Sequence, residues 1–193
     1  MPHGLWNLPN ILTTGRILAV PLLVLVFVLL DRPLADRLAL MLFAVAAATD
    51  FLDGWLARRY GQESAFGRML DPIADKAMVI VGLMLVLALA GPGPIPLALL
   101  LPAAIIGLRE VVIAGVREFL GDVKLAVTPL AKWKTTAQLI AVGFLLAEGA
   151  FGGLAPVLGQ LGLGLLWLAA LLTAVTGWDY FQKAMTHIRD QEG

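Results

Sequence analysis

Long apolar runs recur along this chain from Ile11 to Ala184, separated by short polar or Gly- and Pro-rich links. Runs of ~20 apolar residues are the length a helix needs to cross a bilayer. Soluble domains carry roughly 45–50% apolar residues, whereas this chain is 60% hydrophobic, with a mean hydropathy of +0.87. Its 193 residues allow one domain, 1–193, and about six spans. The expected fold is all-α: a polytopic membrane protein with six transmembrane helices plus a short N-terminal interfacial helix. That last helix is suggested by Leu5, Trp6 and Leu8 before Asn10, with Trp6 at headgroup level.

The spans are expected at 11–30, 37–57, 72–90, 95–118, 131–148 and 160–185. Asp31-Arg32-Pro33 ends the first, and Gly91-Pro92-Gly93-Pro94 makes an uncharged turn. Gly121-Asp122 and Pro129 punctuate the fourth link, and Gly149 to Gly159 the fifth. No secretory leader is expected, because no basic start precedes a short apolar core and a small-residue cleavage site. The absence of cysteine excludes disulfides, iron–sulfur clusters and thiol catalysis.

Charge placement sets the orientation. Arg58, Arg59 and Arg68 lie between spans two and three, with Lys76 just beyond. Arg117, Lys124, Lys132 and Lys134 lie between four and five, and Lys183 and Arg189 follow the last span. The alternate loops hold only Arg32 and Arg37. The excess of Lys and Arg on one side puts both termini and the 58–71 and 117–134 loops in the cytoplasm.

Against this apolar background stand four aspartates in 26 residues: Asp50, Asp53, Asp71 and Asp75. Charges at membrane depth are costly and mark functional sites with partners. Residues three and four apart share a helix face. Asp50 and Asp53 therefore line one stripe of the second span, and Asp71 and Asp75 one stripe of the third. Two neighbouring helices would turn these stripes into an all-oxygen nest. Magnesium and manganese favour such hard ligands, while zinc more often takes His or Cys. The two histidines, His3 and His187, are distant in sequence. Four acids suit two divalent ions, which can clamp the attacking and leaving oxygens of a displacement at phosphorus. Plainer structural alternatives exist. Asp71 before Pro72 could cap the third span. Asp50 and Asp53 could pair with Arg58, Arg59 or Arg109. Gly54, Ala57 and Gly67 could serve helix packing alone.

The order Asp53-Gly54-x2-Ala57-Arg58-x8-Gly67-x3-Asp71-x3-Asp75, with Asp50 three residues upstream, resembles the signature of the CDP-alcohol phosphotransferases. The likeness covers most of the chain. Asn10-x2-Thr13-x2-Arg16 opens the first span, Arg109-Glu110 and Arg117-Glu118 lie in the fourth, and Lys132-Trp133-Lys134-Thr135-Thr136-x-Gln138 opens the fifth. Together these look like the branch that makes phosphatidylglycerophosphate from CDP-diacylglycerol and glycerol 3-phosphate. One departure is Ala131, where the pattern has Gly.

The resemblance implies six membrane helices, two Mg2+ or Mn2+ ions per site, a homodimer, and transfer of a phosphatidyl group to an alcohol with CMP leaving. It implies Asp50, Asp53, Asp71 and Asp75 as metal ligands, with Asp75 also the catalytic base. Gly54, Ala57, Arg58 and Gly67 would receive CDP-diacylglycerol. Thr14, Arg16, Arg109, Arg117, Lys132 and Lys134 would meet the acceptor's phosphate, since Arg suits bidentate phosphate contact and Lys acts as a point charge. The expected location is a bacterial inner membrane, multi-pass, with the site facing the cytoplasm, where lipid enters sideways and the soluble phosphate ester arrives from water. Membrane lipid is an expected partner, and nucleic acid is not. Competing readings are another acceptor within the family (serine, inositol phosphate or phosphatidylglycerol) and a divalent-cation transporter. The transporter would want acids at the bilayer centre on a through-path.

Overall fold

The computed structural model describes residues 7–60, 64–121 and 130–192, with side chains described except at 51, 53–58, 60, 130–132 and 191–192. Those residues form long helices joined by short links, with no strand among them. They are α1 (Leu8–Leu29), α2 (Leu34–Tyr60), α3 (Ala65–Ala88), α4 (Leu97–Leu120), α5 (Leu130–Ala150) and α6 (Ala155–Glu192); a 3-10 turn, Gly152–Leu154, precedes the last.

Local chemistry fixes the ends. Asn7 caps α1 by accepting from the Asn10 N–H at 2.9 Å, and Pro9 sits in the first turn, where its missing N–H costs nothing. Leu8 is the first residue of α1 itself, so the helix expected at the interface does not stand apart there; Leu5 and Trp6 lie outside the described residues. Gly121 closes α4 at φ +57°, a backbone region that only glycine enters freely. Its N–H then bonds back to the Arg117 and Glu118 carbonyls.

Two boundaries depart most from expectation, by seven residues each. α3 begins at Ala65 rather than 72, with Ser64 as its cap and Pro72 inside the helix. Asp71 therefore does not cap this helix; its carboxylate lies well within it. α6 runs to Glu192, seven residues past the expected 185. Hydropathy marks where apolar surface stops, not where the helix stops. An i,i+4 pair, Lys183 Nζ to Asp179 Oδ2 at 2.7 Å, supports the helix just before this polar end.

α5 packs on α6, α1 on α2 and α3, α4 on α6, and α2 on α5. The shared core includes Leu23, Phe43, Met78, Ile106, Val142 and Leu166, all essentially buried. Small residues bring backbones close, as is usual where helices associate in lipid. A Cβ on Gly82 would stand 2.7 Å from Val142 Cγ1 and 3.3 Å from Phe43 Cε2. A Cβ on Gly162 would stand 3.0 Å from the Leu145 backbone nitrogen. Large apolar side chains also cover the outside, among them Leu18, Val28, Met84, Leu108, Val111, Phe119 and Trp178. An outer surface of that kind fits a lipid solvent. By length and hydropathy, Leu8–Leu29, Leu97–Leu120 and the stretch Gly152–Asp190 can each cross a membrane.

Candidate active site

The start of α1, the end of α2 and the start of α3 converge through polar contacts. Arg16, 2% exposed, places Nη1 against Asp50 Oδ1 and 2.7 Å from Asp75 Oδ1. One turn earlier the Thr13 hydroxyl donates to Asp71 Oδ1 at 2.8 Å. A further turn back, the Ser64 hydroxyl donates to Asn10 Oδ1 at 2.8 Å while accepting from the Gly67 N–H at 2.9 Å. Asn10, Thr13 and Arg16 thus form one stripe of α1, at the three-residue spacing that keeps side chains on a single face. A Cβ on Gly67 would lie 2.8 Å from Asn10 Oδ1 and 3.3 Å from Ser64 Oγ, so a larger residue there would push on this hydrogen-bonded pair.

The expected acids are therefore partly assembled. Asp50, Asp71 and Asp75 come together around α1. Asp53 follows on α2, but its side chain lies outside the described residues, as do those of Gly54, Ala57, Arg58 and Lys132. Asp50 pairs with Arg16, on another helix, and not with Arg109 as one alternative had it. Among the described residues three carboxylates stand here against the one guanidinium of Arg16, an excess of negative charge. Among the described residues no three His, Cys, Asp or Glu side chains converge on a single point. The donor set nonetheless fits a hard divalent cation: it is all carboxylate, it keeps surplus negative charge, and the side chains of Asp50 and Asp75 are 33% and 35% exposed.

A second polar cluster joins the end of α4, the start of α5 and the later half of α6. Glu110 Oε1 accepts from Arg109 Nη1 at 3.1 Å and from Lys134 Nζ. Glu110 is 7% exposed and Lys134 5%. The Arg117 guanidinium lies over the Tyr180 ring, 5.2 Å from its centroid. Gln138 Nε2 donates to Thr173 Oγ1 at 2.9 Å, tying α5 to α6. Among the described residues three cations stand here against the one carboxylate of Glu110, an excess of positive charge. Lys76, beside Asp75 on α3, lies within electrostatic reach of Glu110, so the acidic and basic clusters occupy one end of the bundle.

Of the residues expected to meet the acceptor's phosphate, Arg109, Arg117 and Lys134 gather in this basic cluster. Arg16 and Thr14 do not join it. Arg16 faces the acids, and the Thr14 hydroxyl donates to the Asn10 carbonyl at 2.8 Å. Spacing along the chain cannot reveal a guanidinium whose partners lie 34 and 59 residues away. Sequence reasoning also missed Ser64, the pairing of Thr13 with Asp71, and the α6 contributions of Gly177 and Tyr180. The x2 spacing of Asn10, Thr13 and Arg16 was the available signal for the α1 stripe.

A helical bundle with membrane-crossing helices that groups carboxylates and buried cations at one end has the make-up of an enzyme that handles phosphate groups at a lipid surface. Residues 6–175 match the family described as CDP-alcohol phosphatidyltransferase, and the chain belongs to that family. It is similar to three proteins named CDP-diacylglycerol–glycerol-3-phosphate 3-phosphatidyltransferase. The one from Cereibacter sphaeroides is 43% identical, over 97% of this chain and 99% of that protein. The one from Rickettsia bellii is 42% identical, over 91% and 94%. The one from Shigella flexneri serotype 5b is 35% identical, over 96% and 99%.

Proposed function

We propose that this chain transfers the phosphatidyl group of CDP-diacylglycerol to glycerol 3-phosphate, giving phosphatidylglycerophosphate and CMP. The observation that carries the reading is the pairing of two oppositely charged clusters at one end of the bundle. One retains negative charge for cations and the other retains positive charge for a phosphate monoester. Family membership and the named relatives support the same reaction.

In this reading the acceptor hydroxyl oxygen attacks the phosphorus that bears diacylglycerol. The bond from that phosphorus to the CMP oxygen breaks, and the hydroxyl proton passes to Asp75. Such a base needs hydrogen-bond reach of the proton, about 2.6–3.2 Å or one bridging water. Two Mg2+ or Mn2+ ions held by Asp50, Asp53, Asp71 and Asp75 would, when bound, neutralise the pyrophosphate and the charge growing on CMP. Arg16 holds Asp50 and Asp75 in place, and Thr13 does the same for Asp71. Gly54, Ala57 and Arg58 would receive the nucleotide. Gly67 keeps α3 close against Asn10. Arg109, Arg117, Lys132 and Lys134 would hold the phosphate of the acceptor, with Glu110 fixing Arg109 and Lys134.

The same reading takes the chain as one domain with all six long helices crossing the inner membrane of a bacterium. Both termini and the site face the cytoplasm, and two copies pair. The excess of Lys and Arg at the site end supports that orientation.

The test is CMP release by purified protein from CDP-diacylglycerol with Mg2+ or Mn2+ and a panel of acceptors. Release that needs glycerol 3-phosphate and stops with chelator is the expected result. Release with serine, inositol phosphate or phosphatidylglycerol but not glycerol 3-phosphate would overturn the acceptor. Undiminished release in chelator would overturn the metal site.

A further inference from the structure

Two residues of α6 touch the basic cluster, and both lie past residue 175, where the family match ends. Gly177 is buried. A Cβ there would stand 2.7 Å from Arg109 Cγ, 3.3 Å from its Nε and 3.6 Å from its Cδ. The stem of Arg109 therefore lies flat on the α6 backbone. This is not general to glycines of the bundle: Gly15, Gly107, Gly115 and Gly164 have nothing within 4 Å of such a Cβ. With its stem seated on Gly177 and Nη1 on Glu110, the Arg109 side chain is fixed at both ends. Its Nε is buried and makes no hydrogen bond among the described residues. A guanidinium fixed in this way with an N–H unused is prepared for an anion, because its edge donors match phosphate oxygens.

Tyr180 is three residues further on and shares that face of α6. It is 7% exposed, with its ring under the Arg117 guanidinium. Stacking engages the flat face of the guanidinium and leaves its edge N–H groups for a ligand. Thr173, four residues before Gly177, continues the stripe and anchors Gln138 of α5.

We infer that Gly177 and Tyr180 are positioning residues for the acceptor: through Arg109 and Arg117 they set recognition of its phosphate. The inference rests on the reading of the basic cluster as the phosphate seat. It assigns the acceptor half of the reaction partly to the last helix, whereas the spaced motif of α2 and α3 serves the donor half.

Steady-state kinetics at saturating CDP-diacylglycerol and varied glycerol 3-phosphate test it, with melting temperature measured alongside. Gly177→Ala is expected to raise KM for glycerol 3-phosphate about tenfold, with kcat and the KM for CDP-diacylglycerol within about twofold. Tyr180→Leu is expected to raise the same KM about fivefold by freeing Arg117. In an Arg109→Ala background, Gly177→Ala should add nothing, because its effect passes through that side chain. Gly164→Ala, on the open side of the same helix, should behave as wild type. An unchanged KM for glycerol 3-phosphate in both α6 variants would overturn the inference. So would a Gly177→Ala penalty that persists in full without Arg109. If Arg109→Ala and Arg117→Ala themselves leave that KM unchanged, the phosphate seat is elsewhere and the underlying reading fails first.

Discussion

Replacing Arg16 by Met keeps the length of the side chain and removes its charge. In the wild type the Arg16 side chain is 1% exposed and contacts two carboxylates, whose own side chains are 33% and 35% exposed. Removing one partner of a fully buried ion pair costs roughly 3–5 kcal/mol, because the remaining charge is stranded. Here water reaches about a third of each acid, which reduces the expected cost to about 2–3 kcal/mol. At ~2–4 °C per kcal/mol for a chain of this size, the variant should melt about 4–12 °C lower. That figure holds with chelator present. A divalent ion bound by the same acids stabilises the folded state by mass action, by ~2.7 kcal/mol at a hundred times its Kd. In the variant no resident guanidinium shares Asp50 and Asp75 with the ion. Mg2+ or Mn2+ should therefore raise the melting temperature of Arg16→Met by more than it raises that of the wild type. The fluorescence of the five tryptophans followed through thermal unfolding in micelles, in chelator and in metal, reads both quantities. Equal melting of the two proteins in chelator would refute the counter-ion role of Arg16. An equal gain from metal would refute the idea that ion and guanidinium share the same carboxylates.

Asp75→Asn should abolish CMP release while leaving folded protein in good yield; near-normal turnover would remove Asp75 as the base. Glu110→Gln takes the shared anion from Arg109 and Lys134, both largely buried, and should cost about 2–4 kcal/mol of stability. Glycerol 3-phosphate should restore more of that loss than it adds to the wild type, as read by melting with and without the ester. Gly82→Ala forces a methyl to within 2.7 Å of Val142 Cγ1 and 3.3 Å of Phe43 Cε2. Overpacking of this kind costs about 1–3 kcal/mol, and because Gly82 touches Val142 and Phe43 and no residue of either cluster, both KM values should stay at wild type while the melting temperature falls.

The helices were legible because the periodic need to satisfy backbone groups in lipid leaves a direct trace in hydropathy. The places where that trace failed are polar. Ser64 caps α3, yet the eye goes to Pro72, since proline so often opens a helix. The residues of α6 beyond 185 are polar, so hydropathy gives no sign that the helix goes on through them. Asp71 and Asp75 were legible as a pair because a four-residue step repeats on one helix face. Their partners on α1 were not, because Thr13 and Arg16 meet them across 58 and 59 positions of sequence. Glu110 could be read as a companion of basic residues, while its double role with Arg109 and Lys134 needed α4 and α5 side by side. Gly177 was silent for a different reason. A missing side chain has meaning only once another helix has come to lie against it.

The polar stripe of α1 also bears on how the protein is made. Asn10, Thr13 and Arg16 leave the ribosome ahead of every residue on α2 and α3 that they contact. Arg16 precedes Asp50 by 34 positions and Asp75 by 59. At ~5–20 residues per second of translation, the second delay is about 3–12 s. For the first 34 positions of that interval, about 2–7 s, neither acid has been synthesised, and for the rest of it Asp75 is still missing. The final seat of the first helix in the bilayer has to await the third helix, so the segment born first is among the last to settle.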